Sequence, residues 1–264
     1  MGAFTNLCKA YGACALFEGQ EASGTNAVDS GVCNNPATYN SSGVAYHATS
    51  LLAGESGAFS IDFNGSTGYC DIPAIVVENL WVNNRRSVVL WAKSDVTTSD
   101  KRVLELNREM FFSIRYGLPG TTGIRFSIRD SAGQKDLDVT GLTLTNALMI
   151  AVTWEVGVDM KAYINNGAAN TISLAAGKGT VSVTGSVWGA ARDHTTNFDG
   201  KSSHLAFFPY RLSATQISKL YDAGINGVQY FPIIEDLSAG GKRRLAGADD
   251  SLNPAIYALP VVGR

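Results

Sequence analysis

A chain of 264 residues with 45% hydrophobic residues, 17% charged residues and 28 glycines is long enough for one large core and too apolar to stay disordered. Its formal charge of −2 and pI near 5.9 leave no electrostatic footprint for nucleic acid or an anionic membrane surface, so neither is expected as a partner. The longest apolar runs, Ser87 to Ala92 and Leu148 to Val152, fall far short of the roughly 18 residues a membrane helix needs, so no membrane insertion is expected.

The chain opens on MGAFTNLCKAYGACALFEG, and its apolar stretch from Tyr11 to Phe17 lacks a basic leader and is short for a secretory core. No export signal is read there, and residues 1–12 stand as an N-terminal segment. Cys8, Cys14, Cys33 and Cys70 contain no CxxC pair, and without an export signal they are expected as reduced thiols. His47, His194 and His204 have no metal-ligand spacing.

Gly57 to Phe63 alternates, with Phe59, Ile61 and Phe63 on one face; Asn64-Gly65 then breaks it before a second strand from Tyr69 to Ile72, the pattern of a hairpin. Further on, the run Glu105-Leu106-Asn107-Arg108-Glu109 puts Glu105, Asn107 and Glu109 on one face. At a strand rise of about 3.4 Å the two glutamates stand roughly 13 Å apart, beyond the roughly 5 to 9.5 Å of a glycosidase carboxylate pair. Ile124, Phe126 and Ile128 face one way and Arg125, Ser127 and Arg129 the other, which predicts a sheet with one dry face and an exposed arginine stripe. Leu148 to Glu155 places Leu148, Ile150, Val152 and Trp154 on one face, and Met160 to Ile164 follows with an Asn165-Asn166-Gly167 turn suited to positive φ.

Asn197 to Gly224 reads as a buried strand followed by a capped helix, the only helix expected. Ser213 is the N-cap, Gln216 completes a capping box, Leu212 and Ile217 form a staple, and Gly224 stands where a left-handed C-terminal cap is needed. Residues 225–264 differ: Ile225 to Ile234 is apolar, Leu237 to Ser251 is a polar glycine-rich spacer, and Asn253 to Arg264 turns apolar again. Such a segment cannot bury its own surface, so it is expected to act as an arm that joins neighbouring subunits through Tyr230, Phe231, Ile256, Tyr257 and Leu259.

Several of these segments match one family pattern. FSIDFNGSTGYCDIP resembles the entry strands of laminin-G-like domains, and SVVLWAKSD resembles their next core strand, with Trp91 in the core position. LMIAVTWEVGVDMKAYINNG is similar to their central hairpin, and SVWGAARD to a later strand. FDG, the apolar strand, Arg211-Leu212-Ser213 and the short helix resemble their closing elements. The resemblance spans about Ala13 to Gly224, within the laminin-G-like and concanavalin A-like lectin/glucanase domains. It implies an all-β, two-sheet antiparallel jelly-roll sandwich over residues 13–224, with one short helix near 213–223 and an extended C-terminal arm over 225–264.

The resemblance also implies functions. Laminarinase-type hydrolases share this jelly roll, but Asn107 stands where their central aspartate would be, so an enzyme is not expected. No Gly-x-Ser-x-Gly elbow, HExxH pair or phosphate-cradling loop is present either. Related domains hold calcium, and of Asp29, Asp62, Asp71, Asp193 and Asp199 only Asp199 sits in a matching motif, which makes it the candidate ligand; no other cofactor is implied. Trp81 and Trp188 are candidate glycan contacts. The expected role is a non-enzymatic structural protein of a bacteriophage virion, a head-decoration or tail component assembled in the host cytoplasm. Its expected partners are other virion proteins or copies of itself. The alternative is an adhesin that recognises a host surface glycan.

Overall fold

The computed structural model describes residues 2–55, 57–80, 84–97, 100–108, 110–179, 185–230, 233–235 and 244–246. In chain order the helices are α1 (Ala3–Ala10), α2 (Ala74–Leu80) and α3 (Ala214–Asn226). The first strands are β1 (Ala15–Phe17), β2 (Asn26–Ala27), β3 (Ala37–Tyr39), β4 (Val44–Thr49), β5 (Phe59–Asn64), β6 (Cys70–Ile72), β7 (Arg85–Ser94) and β8 (Lys101–Arg108). There follow β9 (Met110–Tyr116), β10 (Ile124–Asp130), β11 (Gly133–Val139), β12 (Leu148–Glu155), β13 (Asp159–Ile164), β14 (Asn170–Ser173), β15 (Ser186–Trp188) and β16 (Asp199–Phe208).

The strands form two antiparallel sheets. The first runs β14-β13-β12-β7-β16-β5-β4, with β1 also on β16, and the second runs β11-β10-β9-β8-β15-β6-β3-β2. Alternation delivers one face of each strand to the space between them: Leu90 and Ala92, Ile150 and Val152 from the first sheet, Leu104 and Leu106, Phe112 and Ile114, Phe126 and Ile128 from the second. Aromatic pairs bridge the layers, Phe63 edge-on to Trp188 at 5.6 Å and Phe112 stacked on Trp154 at 4.8 Å. The expected two-sheet jelly-roll sandwich is therefore the architecture of the chain.

Three local expectations are corrected. Strands β5 and β6 are not a hairpin, because β5 pairs with β4 and β16 while β6 pairs with β3 and β15 in the other sheet. The Asn64 side chain accepts from the backbone N–H groups of Ser66, Thr67 and Gly68, and this Asx-type turn carries the chain across the sandwich. Gly224 is not the cap of α3, which runs on to Asn226 and ends at Gly227 in the left-handed conformation (φ 66°). Gly224 is instead a close-packing residue, since a Cβ there would stand 2.5 Å from Cζ2 of Trp91. Finally, α3 is one of three α-helices among the described residues. The capping box at its start is as expected, Gln216 N–H donating to Ser213 Oγ at 3.2 Å and Ser213 N–H to Gln216 Oε1 at 2.9 Å.

Helix α1 is capped by a residue distant in sequence. Gly2 offers no side chain, and Glu55 accepts the Phe4 N–H at 2.5 Å. Behind this contact lies His204, buried at a bulge in β16, with Nε2 3.7 Å from Glu55 Oε2 and its ring edge-on to Phe4 at 5.5 Å. Glu18 and Lys9 complete the surroundings, 3.9 Å apart. Burial pulls the His204 imidazole down from 6.5 to about 4, against the Glu18 carboxylate, which raises it, and burial pushes Glu55 upward. Between pH 6.5 and 4 the unfolded chain therefore takes up a proton at His204 that the folded chain refuses. That stability is complete above pH 6.5 and declines toward pH 4 by up to about 3 kcal/mol, with Glu55 offsetting part of the loss. Urea unfolding of wild type and His204→Gln at pH 7 and pH 5 checks this, with the variant expected to show the flatter dependence.

Residues from Tyr230 to Arg264 make a separate unit, whose described strands are β17 (Ile233–Glu235) and β18 (Arg244–Ala246), paired antiparallel with Ile233 opposite Ala246. The polar spacer expected over Leu237 to Ser251 thus contains a strand. Of the expected arm anchors, Tyr230 is described, and Phe231, Ile256, Tyr257 and Leu259 lie outside the described residues.

Candidate functional site

The outward face of the second sheet concentrates polar side chains. Register places Asp71, Val187, Glu105, Ser113, Ser127 and Asp136 directly opposite one another on β6, β15, β8, β9, β10 and β11, so they form one row across the sheet. Most of a sheet's outward row is expected to be wet, yet Glu105, Ser113 and Ser127 are fully buried. The expected arginine stripe is corrected accordingly. Arg125 forks onto the Asp138 carboxylate at 2.7 and 2.9 Å and lies 3.5 Å from Asp136, and Arg115 forks onto Asp100 at 2.8 and 2.6 Å. Arg125 and Arg115 are tied to aspartates, and Arg115 holds the Asp100 carboxyl below its usual value.

Glu105 is the centre of the row. Its buried carboxylate meets Arg102 on its own strand, across the bulge that separates Arg102 from Leu104, and Arg192 at 3.3 Å. Both oxygens are engaged by guanidinium groups. A general acid or nucleophile needs access to its substrate, and this glutamate has no exposed surface. Asn107 is likewise buried, with its backbone N–H donating to Ser186 Oγ at 3.1 Å. Glu109 lies outside the described residues. The thiols of Cys8 and Cys70 are buried, and burial raises them well above the ordinary range, which leaves them without nucleophilic character.

At the other end of the row, the loop from Gly189 to Phe198 lies over β6. His194 stacks on Tyr69 with ring centroids 3.8 Å apart and 7° between planes, and its Nε2 lies 3.0 Å from Asp71 Oδ1. Both rings retain exposed surface. The loop is held from inside by His194 N–H to Ala191 O, Ala191 N–H to Thr195 O and Thr195 Oγ1 to Asp193 Oδ1, and from outside by Arg102 N–H to Thr196 O. His194 and Thr196 adopt left-handed backbone at φ 59° and 47°. Such conformations cost about 1–3 kcal/mol each and gather at sites that hold ligands or switch. No local spacing predicts this cluster, because Tyr69 and His194 are 125 positions apart in sequence; alternation does place Tyr69 and Asp71 outward.

The carboxylates weighed for calcium are dispersed. Asp29 accepts from the N–H groups of Leu16, Gly31 and Asn35 and pins the chain after β1. Asp62 pairs with Lys201 at 3.2 Å, Asp71 meets His194, and Asp193 holds Thr195. Asp199 opens β16 opposite Asn64 and packs against the Gly65 turn. Among the described residues no three His, Cys, Asp or Glu side chains gather into a metal-holding group. Trp188, expected as a glycan contact, is corrected: it is fully buried between the sheets, and its indole N–H donates to Ser202 Oγ at 3.0 Å, so no sugar can reach the ring. Trp81 lies outside the described residues.

Comparison with known structures returns the same architecture. The receptor-binding domain of botulinum neurotoxin mosaic serotype C/D is similar at a TM-score of 0.60 and 14% identity, over 81% of this chain and 51% of that one. The binding domain of botulinum neurotoxin serotype G gives 0.57 and 13%, over 79% and 50%. The sialidase of Trypanosoma rangeli, solved with the inhibitor DANA, gives 0.55 and 13%, over 78% and 32%. The chain thus spans about half the length of the toxin domains and a third of the sialidase. These likenesses concern the fold. No curated protein matches the sequence. The family model of the concanavalin A-like lectin/glucanases superfamily (Laminin_G_3) matches residues 64–218, from the end of β5 into α3 and so through the greater part of both sheets. With more than half of its length matched and both sheets in place, the chain belongs to the concanavalin A-like lectin/glucanase superfamily.

Proposed function

We propose that this protein is a non-enzymatic structural component of a bacteriophage virion, at the head surface or the tail, assembled in the host cytoplasm. The jelly roll is the displayed body, and the segment from Tyr230 onward joins it to copies of itself or to other virion proteins. The observation that carries the non-enzymatic part is Glu105, the nearest match to a hydrolase carboxylate, buried and engaged by Arg102 and Arg192. The division of the chain after Gln229 into the sandwich and a small second unit supports the assembly part. Deleting residues 230–264 is expected to leave a folded sandwich that no longer incorporates into particles. Undiminished incorporation of the truncated chain, measured by gel analysis of purified particles, would overturn this reading.

A second reading, recognition of a host surface glycan, is supported by two toxin domains among the structural neighbours, a receptor-binding domain and a binding domain. It is compatible with the first, since a displayed virion sandwich is well placed to meet a cell surface. Saturable binding on a glycan array supports it, and a flat array removes it.

A further inference from the structure

The turn that follows β2 lies directly on the chain that leads into β1, and it brings two cysteines together. Cys33 N–H donates to Cys14 O at 2.8 Å, Val32 N–H to Ala13 O at 3.1 Å and Ser30 N–H to Leu16 O at 2.9 Å. The Asp29 carboxylate clamps the turn, accepting from Leu16 and Gly31 N–H on one oxygen and from Asn35 N–H on the other, each at 2.8 Å. Gly31 permits the close approach, since a Cβ there would stand 2.7 Å from Ala15 Cα. The backbone bond between Cys33 and Cys14 holds their Cα atoms no more than about 6.7 Å apart, inside the roughly 4.4–6.8 Å that a disulfide spans. Their side chains converge as well, because the Cys14 thiol is hydrogen-bonded to that of Cys33. All four cysteines are free thiols in this structure, and Cys8 and Cys70 are fully buried.

We propose that Cys14 and Cys33 are a redox-modification site that closes to a disulfide when glutathione disulfide is the oxidant. Cys33 keeps exposed surface and follows Val32, itself 75% exposed, whereas Cys14 is buried. The Cys33 thiolate therefore attacks first. Its sulfur bonds to one sulfur of glutathione disulfide, and the S–S bond of the oxidant breaks to release one glutathione thiolate. Cys14 then loses its proton and attacks the Cys33 sulfur, expelling the second glutathione. The two thiol protons end on the two glutathiones, and the electron pair given up by the cysteines reduces the oxidant. The new bond ties the turn to the start of β1, whose Ala15 pairs with Phe207, and so staples the N-terminal part of the chain to the first sheet. The inference goes beyond the virion reading and does not depend on it. Under that reading the bond stays open in the reducing host cytoplasm and closes after release.

Peptide mapping provides the test. The full-length protein is incubated with glutathione disulfide or with dithiothreitol, unfolded in iodoacetamide and cleaved after lysine, arginine and glutamate. Cleavage places Cys14 in Ala10–Glu18 and Cys33 in Ala22–Glu55, apart from each other and from Cys8 and Cys70. After oxidation the expected product is Ala10–Glu18 joined to Ala22–Glu55, lighter than the two reduced peptides by two hydrogens, with Cys8 and Cys70 alkylated. The oxidised protein is expected to melt roughly 6–10 °C above the reduced one, the scale for closing a loop of this length in a domain of this size. Cys33→Ser, at a partly exposed position, is expected to match the reduced wild type in melting temperature and to lose the rise on oxidation. Alkylation of both Cys14 and Cys33 after oxidant treatment, a glutathione adduct that persists on Cys33, or a linkage through Cys8 or Cys70 would each overturn the proposal. A rise in melting temperature that survives in Cys33→Ser would do the same.

Discussion

Trp91→Ala is expected to cost about 3–5 kcal/mol, the range for deleting a buried aromatic, and to unfold a protein of ordinary marginal stability at moderate urea concentration. Trp91 faces away from the inter-sheet core, because Leu90 and Ala92 beside it point inward. Its indole is nevertheless fully buried, roofed by the two terminal helices: Phe4 of α1 meets it edge-on at 6.1 Å and Tyr221 of α3 stacks on it at 6.0 Å. The absence of a side chain at Gly224 lets α3 approach the ring. One side chain thus joins β7, α1 and α3 into a second, smaller core on the outer side of the first sheet. Urea unfolding read by far-UV circular dichroism gives the number. A cost under about 1 kcal/mol, the scale of a surface substitution, would mean that the helices do not depend on this ring.

Arg102→Ala is expected to destabilise by about 3 kcal/mol, more than Glu105→Gln, which is expected to cost about 1 kcal/mol. The asymmetry follows from exposure. The Glu105 side chain is wholly buried, whereas those of Arg102 and Arg192 are 20% and 44% exposed. Removing Arg102 strands a carboxylate in a low-dielectric setting with Arg192 alone, while removing the charge of Glu105 leaves two guanidinium groups that can turn to water. Equilibrium unfolding of the two variants decides it. The reverse order would mean that the carboxylate is not held for structural reasons, and would reopen a chemical role for it.

The sandwich was legible in the sequence because its signals are local. Alternation in Ile124, Phe126 and Ile128, the capping box of Ser213 and Gln216, and the turn at Asn165, which has φ 55°, each depend on a few neighbouring residues, and each appears as expected. Helix α1 was not legible because its cap is Glu55, brought in by the fold across 51 positions. Helix α2 begins Ala74-Ile75-Val76-Val77, a β-branched run with low helix propensity that buries Val76 and Val77 against the core. The apparent β5–β6 hairpin misled because two short strands around Asn-Gly look alike whether the turn closes one sheet or crosses to another. Trp188 was misjudged for a related reason: alternation fixes that successive residues of β15 face opposite ways, and only the pairing of Trp188 with Cys70 and Leu104 shows which way is inward. The cluster of Tyr69, Asp71 and His194 needed the path of the loop that follows β15.

The proposed virion role requires the segment from Tyr230 onward to join the sandwich to neighbouring copies. Sedimentation of the full chain and of a chain ending at Gln229, at matched concentrations, tests this most directly. The predicted result is an oligomer for the full chain and a folded monomer for the truncated one. Two identical folded monomers would contradict self-assembly through this segment.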